Sequence, residues 1–442
     1  MKIHLIAIGG SAMHNLALAL HHKGFDISGS DDAIFSPSKE RLDKHGLLPT
    51  EIGWFPNKIT SNLDAIILGM HARINNPELA KAKELSIPIY SYPEYIYEQS
   101  KNKKRVVIGG SHGKTSITAM ILHVLQNLNM ECDYMVGAQL DGFDTMVKLT
   151  NDAPIIILEG DEYLSSPIDR RPKFHLYQPH IAVLSGIAWD HINVFPTFEM
   201  YVDQFRIFKN MVSGTLIYCN EDEELKKLCT EKTACALIPY TTPKHSIENG
   251  ITSIDNTDLL IFGNHNLQNL NAAKLVCKEL GVNEENFFNQ IASFKGASKR
   301  LELVRRTENS AIYKDFAHSP SKLNATSSAM KKQFINRKLV ACIELHTFSS
   351  LNEEFLQQYK ESMEEPDTAI VYFSPEAIAH KKLEPITTEQ VLTAFGREDL
   401  LVFTDSEKLE SYLKSLDWNN QNLLMMSSGT FDGIDFHKLI IN

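Results

Sequence analysis

The chain has 442 residues, 43% hydrophobic and 22% charged, which is the composition of a soluble globular protein and a length for about three domains of ~100–200 residues. Its formal net charge of −11, from 44 basic against 55 acidic residues, argues against general nucleic-acid binding, which calls for a basic stripe. The six cysteines are scattered without Cys-x-x-Cys or zinc spacing, and no stretch approaches the ~20 apolar residues of a membrane span, so the expectation is reduced thiols in a cytoplasm and no membrane partner.

Residues 1–98 alternate strands and helices. A strand over 3–8 meets the turn Gly9-Gly10-Ser11 and a helix over 13–22, and a second strand over 25–28 ends at Gly29-Ser30-Asp31-Asp32. A strand over 64–68, a helix over 77–85 and a strand over 87–90 follow. This rhythm predicts a parallel sheet with ligands beyond the carboxyl ends of its strands. The apolar run in residues 1–20 reads as first strand and helix rather than a targeting segment, because the glycines interrupt it and no small-residue cleavage site follows. The first turn lacks Gly-x-Gly-x-x-Gly, so a nicotinamide site is a weak reading. A nucleotide diphosphate on this turn, with Ser30 or Asp31 near its polar groups, fits as well. Ser100-Lys101-Asn102-Lys103-Lys104-Arg105 is polar, basic and free of apolar anchors, and reads as a linker.

Val106-Val107-Ile108 then delivers the chain to Gly109-Gly110-Ser111-His112-Gly113-Lys114-Thr115-Ser116, ahead of an apolar-periodic run over 117–125. Strand, phosphate loop and helix are the expectation, in the shorter form Gly-x-x-Gly-Lys-Thr because Ile108 stands where the full pattern has glycine. Backbone N–H groups would surround a phosphate, Lys114 would add a cation, Thr115 a hydroxyl for Mg²⁺, and the helix its positive dipole end. ATP or GTP binding is thus expected, against the alternative of a glycine-rich turn with a chance lysine. A buried strand over 154–158 stops at Glu159-Gly160-Asp161-Glu162, and another over 180–185 leads to Asp190-His191. Singly these read as a helix cap and a structural hydrogen bond; beside Lys114 and Thr115 they point to a metal–nucleotide site.

Asn264, His265, Asn266 and Asn269 open a helix to 280, either presenting amides on one face or simply capping it. The segment 294–300, with Gly296, Ser298 and Arg300, reads as a second hinge. A third alternating region follows, with strands over 311–314, 338–343, 369–373, 400–403 and 422–426 and polar strand ends at Asp315 to Pro320, Glu344 to Thr347 and Ser427 to Gly433.

Taken in order, Gly-Ser-His-Gly-Lys-Thr at 110–115, Glu-Gly-Asp-Glu at 159–162, Asp-His at 190–191, Gly-Asn-His-Asn-Leu-Gln-Asn at 263–269, the Arg300 segment and Asp-Phe-Ala-His-Ser-Pro at 315–320 resemble the Mur ligases, the ATP-dependent amide-forming enzymes of peptidoglycan synthesis. The resemblance runs nearly end to end. It implies an α/β chain of three domains: an N-terminal Rossmann-like parallel sheet over 1–100 for a UDP-sugar, a central P-loop ATPase-type domain over 101–297, and a C-terminal Rossmann-like domain over 298–442 completing the ATP and amine site.

Residue by residue, it implies that Gly110, Ser111, His112, Gly113, Lys114, Thr115 and Ser116 cradle ATP, with Lys114 on the β/γ-phosphates and Thr115 on a first Mg²⁺. Glu159, Glu162 and His191 would serve the second metal, and Asn266 and Asn269 would lie near the nucleotide. Arg300 and Asp315 would reach ATP from the third domain, so that Lys114, Glu159, His191 and Arg300 form the catalytic set. Gly10, Ser11, Ser30, Asp31 and His71 would grip the UDP-sugar, and His318 and His346 would face substrate or amine. Small-molecule substrates and a monomer or weak dimer complete the expectation.

The first turn and the loop Met70-His71-Ala72-Arg73 are more similar to the branch acting directly on UDP-N-acetylmuramate. Within it, Met-Ser-Ser-Gly-Thr-Phe-Asp-Gly-Ile at 426–434 looks more like the murein peptide ligases, which re-attach the recycled tripeptide L-Ala-γ-D-Glu-meso-diaminopimelate. Addition of L-alanine is the alternative, and the stretch 344–350 sits between the two patterns. Readings of other classes are a non-catalytic nucleotide and UDP-sugar binding protein and a P-loop kinase or GTPase. Gln204, Phe205 and Arg206 occupy the region where some Mur ligases carry a carbamylated lysine, and none is assigned.

Overall fold

In the computed structural model, which describes residues 1–70, 72–140, 142–189, 191, 194–297 and 300–439, the β-branched runs form mainly parallel sheets and the periodic segments between them form helices. The chain packs as two compact units, one of residues 1–241 with 268–290, the other of 242–267 with 291–442.

The first unit begins with β1 (Lys2–Ile6), α1 (Ser11–His22), β2 (Asp26–Ser30), α2 (Ser38–Lys44), β3 (Ala65–Leu68), α3 (Pro77–Glu84), β4 (Ile89–Ser91) and α4 (Tyr92–Ser100). The strands lie in the order β2-β1-β3-β4, all parallel, as the rhythm predicts. Ile3, Leu5, Ile6, Leu16, Ile66, Ile67 and Leu68 are fully buried, each contributing about 1.5–3 kcal/mol of apolar burial.

A seven-stranded sheet follows, made of β5 (Lys104–Gly109), β6 (Cys132–Met135), β7 (Val147–Lys148), β8 (Ile155–Glu159), β9 (Ile181–Leu184), β10 (Thr215–Cys219) and β11 (Ala236–Tyr240) in the order β11-β10-β9-β5-β8-β6-β7. Only β7 runs antiparallel to its neighbour. β5 lies between β8 and β9, so the chain leaving it emerges between the acids after β8 and the segment after β9. Helices α5 (Lys114–Asn127), α6 (Phe198–Met211) and α7 (Glu223–Leu228) belong to this layer.

The supposed linker at 100–105 is not a solvated one. α4 runs to Ser100 and β5 starts at Lys104, and the Lys103 and Arg105 side chains are buried. The Lys103 ammonium pairs with Asp133 at 2.8 Å and donates to the carbonyls of Thr150 and Ala153 at 2.9 Å each. The Arg105 guanidinium donates to the carbonyls of Ser100, Lys101, Lys103, Tyr177 and Gln178 at 2.9–3.3 Å. Cation-to-carbonyl bonds anchor this junction, so it shows none of the apolar residues that mark anchoring in a sequence.

The second unit holds a three-stranded antiparallel sheet, β12 (Ser246–Glu248), β13 (Ile251–Ile254) and β14 (Thr257–Leu259), which the sequence reading did not anticipate. Its main sheet comprises β15 (Glu302–Arg306), β16 (Ala311–Asp315), β17 (Lys338–Glu344), β18 (Thr368–Tyr372), β19 (Leu401–Phe403) and β20 (Gln421–Met426). The order is β15-β16-β20-β17-β18-β19, parallel except for β15. Helix α8 (Asn264–Glu279) begins in this unit and continues into the first, followed by α9 (Glu284–Ile291), and α10 (Pro320–Gln333) packs on β17 and β20. Among the described residues no helix is long and apolar enough to cross a membrane.

Candidate active site

The phosphate loop forms where expected, between β5 and α5. Gly110 and Gly113 have φ of +122° and +80°, a region that side chains rarely adopt. A Cβ on Gly113 would collide with the Asn269 carboxamide, so α8 brings Asn269 directly onto the loop. Ser116 is buried in the first turn of α5, while His112 is exposed and its carbonyl accepts from the Ser185 hydroxyl.

The acids after β8 converge on this loop. Lys114 donates to Glu162 Oε2 at 2.8 Å and to the Gly110 carbonyl at 2.7 Å. Burial opposes the lysine's charge, but the facing Glu162, with Asp161 and Glu159 further off, holds its pKa above the ordinary value. The Thr115 hydroxyl donates to Glu159 Oε1 at 2.9 Å, and the Gly137 N–H donates to Glu159 Oε2 at 2.8 Å. Burial pushes the Glu159 carboxyl up, while these two donors and Lys114 pull it back. Asp161 turns outward instead, and despite burial its pairing with Lys173 at 2.5 Å keeps it below the usual carboxylate range. His191 Nε2 lies 3.8 Å from Glu162 Oε1. Asp190 lies outside the described residues.

A hydroxyl, two buried carboxylates and an imidazole around a phosphate loop suit Mg²⁺, which takes one or two carboxylates and completes its shell with substrate phosphates and water. Among the described residues no three His, Cys, Asp or Glu side chains cluster tightly enough to hold a metal alone. Thr115, Glu159, Glu162 and His191 would hold it with oxygens from the nucleotide.

Sequence reasoning missed Tyr201 of α6. It is fully buried, with its hydroxyl 2.9 Å from Ser111 Oγ and 3.0 Å from Glu162 Oε1. Tyr201, Phe205 and Phe208 share a buried helical stripe that reads as plain core. Ser111 itself is engaged by the protein: its N–H donates to the Gly186 carbonyl at 3.0 Å, and its hydroxyl oxygen accepts from Ala188 N–H at 2.8 Å.

At the first turn, Gly10 and the exposed Ser11 open α1, and Asp31 accepts from Gly9 N–H at 2.7 Å. Burial raises the Asp31 pKa. Ser30 is fully buried with its hydroxyl 3.5 Å from His4, so it stands behind the turn rather than on its open side. His71 lies outside the described residues. Residues 144–146 reach the start of this region: Asn15 Oδ1 of α1 accepts from Met146 N–H at 2.9 Å, Ser11 Oγ lies 3.7 Å from Met146 Sδ, and Arg41 of α2 donates to the Asp144 carbonyl.

In the second unit, Asn266 donates to the Phe262 carbonyl at 3.0 Å. Arg300 lies over the Phe316 ring at 5.2 Å. Asp315 accepts from Leu301 N–H and Ala317 N–H at 2.7 Å each, and it lines a cavity of about 290 Å³ with Lys314, Ser427, Thr430 and His437. His318 Nδ1 lies 2.8 Å from the Phe316 carbonyl. His346 Nδ1 lies 3.5 Å from the buried Glu344, which also holds the Ser427 hydroxyl and Phe431 N–H. Ser298 and Lys299 lie outside the described residues.

Comparison with known proteins fits this geometry. Residues 2–104 match the catalytic domain of the Mur ligase family and residues 108–277 match the Mur ligase middle domain. A UDP-N-acetylmuramate–L-alanine ligase of Clostridium kluyveri is 30% identical over 382 residues, 80% of each chain. The chain belongs to the Mur ligase family. Mur ligases are ATP-dependent, ADP-forming amide ligases that use Mg²⁺. The fold agrees with the UDP-N-acetylmuramate–alanine ligase of Thermotoga maritima, at a TM-score of 0.69 and 20% identity over 98% of this chain and 96% of that one. It also agrees with a murein peptide ligase of Psychrobacter arcticus, at 0.61 and 20% identity over 100% of both chains.

Proposed function

We propose that this Mur ligase joins the carboxylate of UDP-N-acetylmuramate to an amine in a cytoplasmic step of peptidoglycan metabolism, and that L-alanine is the amine. The observation that carries this reading is the 30% identity, over 80% of both chains, with a relative named for that pair of substrates. The tripeptide expected from residues 426–434 is the second reading. It is supported by that ending alone, which Glu344 ties down through Ser427 and Phe431.

In this proposal residues 1–100 grip the UDP-sugar at Gly10, Ser11 and Asp31, and residues 101–297 hold ATP on the loop around Lys114. Within residues 298–442 the candidate residues of the proposal are Arg300, Asp315, His318 and His346. Mg²⁺, when bound, neutralises phosphate charge against the incoming carboxylate. Lys114 holds the γ-phosphoryl group while the muramoyl carboxylate attacks it in line, giving an acyl phosphate and ADP. The amine then attacks the acyl carbon and phosphate leaves.

The test is ADP release with Mg²⁺-ATP and UDP-N-acetylmuramate, adding either L-alanine or L-Ala-γ-D-Glu-meso-diaminopimelate. L-Alanine-dependent release is expected. Release with the tripeptide alone replaces the first reading by the second, and release that needs no amine removes both.

A further inference from the structure

The hydroxyl of Tyr201 stands between two groups of the nucleotide site, and the chemistry of its partners fixes which way each proton points. Glu162 is ion-paired with Lys114 through Oε2, and its carboxylate only accepts, so the Tyr201 O–H donates to Oε1 at 3.0 Å. The Tyr201 oxygen is then the acceptor for the Ser111 hydroxyl at 2.9 Å. The Ser111 oxygen in turn accepts from Ala188 N–H at 2.8 Å. The result is a one-way chain, Ala188 to Ser111 to Tyr201 to Glu162, in which each donor polarises the next. It links the segments that follow β9, β5 and β8 through a side chain of α6.

We propose that Tyr201 is a positioning residue of the Mg²⁺-ATP site: through its hydroxyl it holds the Glu162 carboxylate toward Lys114 and His191 and commits the Ser111 hydroxyl to the protein. This rests on the reading that the Lys114 loop binds Mg²⁺-ATP. The ring has a separate, structural task, since it packs against Phe195 at 5.6 Å and Phe205 at 5.1 Å between centroids. Tyr201→Phe keeps that packing and removes only the oxygen, which separates the two roles. Without the hydroxyl, Glu162 Oε1 loses its donor in a site where Glu162 is 1% exposed, and the carboxylate is freer to turn.

The experiment uses full-length wild type, Tyr201→Phe and Ser111→Ala. Mn²⁺ binding is followed by electron paramagnetic resonance in the presence of β,γ-methylene-ATP, alongside thermal melts and the Mg²⁺ dependence of ADP release. Tyr201→Phe is expected to weaken Mn²⁺ binding roughly tenfold, with a matching rise in the Mg²⁺ needed for half-maximal turnover and kcat recovered at excess Mg²⁺. Ser111→Ala, which cuts the same chain one link earlier, is expected to shift both in the same direction by less. A Tyr201→Phe variant that matches a Mn²⁺-binding wild type overturns the assignment alone. Should that variant fail to fold, Ser111→Ala with unaltered Mn²⁺ affinity overturns it equally. A wild-type chain that holds no Mn²⁺ with the analogue overturns both the assignment and the ATP reading.

Discussion

Lys114 Nζ lies 2.8 Å from Glu162 Oε2, and Glu162 is only 1% exposed, so the cation of the phosphate loop and a buried acid depend on one another. Lys114→Ala should reduce ADP release by about 10³-fold or more, since the transferred phosphoryl group loses its cation. It should also destabilise the fold by roughly 3 kcal/mol, because an unpaired carboxylate remains buried. Adding Glu162→Gln should restore much of the stability and none of the turnover. Denaturant melts and ADP assays on both variants check this; full activity in Lys114→Ala would remove the lysine from the chemistry.

Asn269 should matter to nucleotide affinity, because its carboxamide occupies the space over Gly113. Asn269→Ala is expected to raise the KM for ATP about three- to tenfold, as loss of one or two hydrogen bonds implies, with the KM for UDP-N-acetylmuramate little changed. Equal rises in both constants would point to general distortion instead.

Asn15 carries a prediction about UDP-N-acetylmuramate, the substrate proposed for residues 1–100. Its Oδ1 receives Met146 N–H at 2.9 Å, and the same loop is fixed at its other end by Gly137 N–H on Glu159. Asn15→Leu should raise the KM for UDP-N-acetylmuramate several-fold while leaving that for ATP near wild type. Steady-state kinetics with each substrate varied in turn would show it, and an unmoved UDP-N-acetylmuramate KM would detach this loop from the proposed sugar site.

Arg105→Ala should cost about 2–4 kcal/mol, since the buried bonds to the carbonyls of Ser100, Lys103 and Tyr177 and the part-buried ones to Lys101 and Gln178 are lost together. Urea melts should show the loss while activity per folded molecule stays near normal. A loss below about 0.5 kcal/mol, typical of a surface residue, would return the junction to the solvated linker that its sequence suggests.

Stability should fall as pH drops below neutrality. Burial lowers the pKa of His14, His123, His175 and His180, and pushes His265 down to about 4 with help from Arg300. In the unfolded chain each imidazole titrates near 6.5, so from there down to the folded values the unfolded state binds more protons and stability rises with pH. Thermal melts from about pH 7.5 to 5 should show a falling Tm, with a shallower fall in His265→Gln. Asp31, Glu159 and Asp315, whose carboxyls burial pushes up, oppose the fall at the acid end, so the deciding comparison is the variant: a His265→Gln slope equal to that of wild type would contradict the burial of that ring.

The phosphate loop and the acids after β8 were legible in sequence because their chemistry is local: a strand, small residues and a lysine in one short run, and carboxylates where a strand stops. The parallel sheets were legible from the same alternation. Tyr201 was not, since a tyrosine within an aromatic stripe looks the same whether its hydroxyl is used or not. Arg105 and Lys103 misled for the opposite reason, as charged residues mark solvent in a sequence and here they satisfy buried carbonyls. The small sheet of β12 to β14 escaped because its strands are only three or four residues long and hold few buried positions.

The first unit is interrupted in the chain: residues 242–267 belong to the second unit before 268–290 return to complete the first. During synthesis the nucleotide loop therefore waits for Asn269, and the unit waits for α9. At about 5–20 residues per second, the 49 residues from 242 to 290 add a delay of roughly 2–10 s in which the nascent sheet lacks two of its helices. A truncated chain ending at 241 would stay in that incomplete condition, and one ending after α9 would carry β12–β14 away from the second unit, so no single cut separates the two units intact.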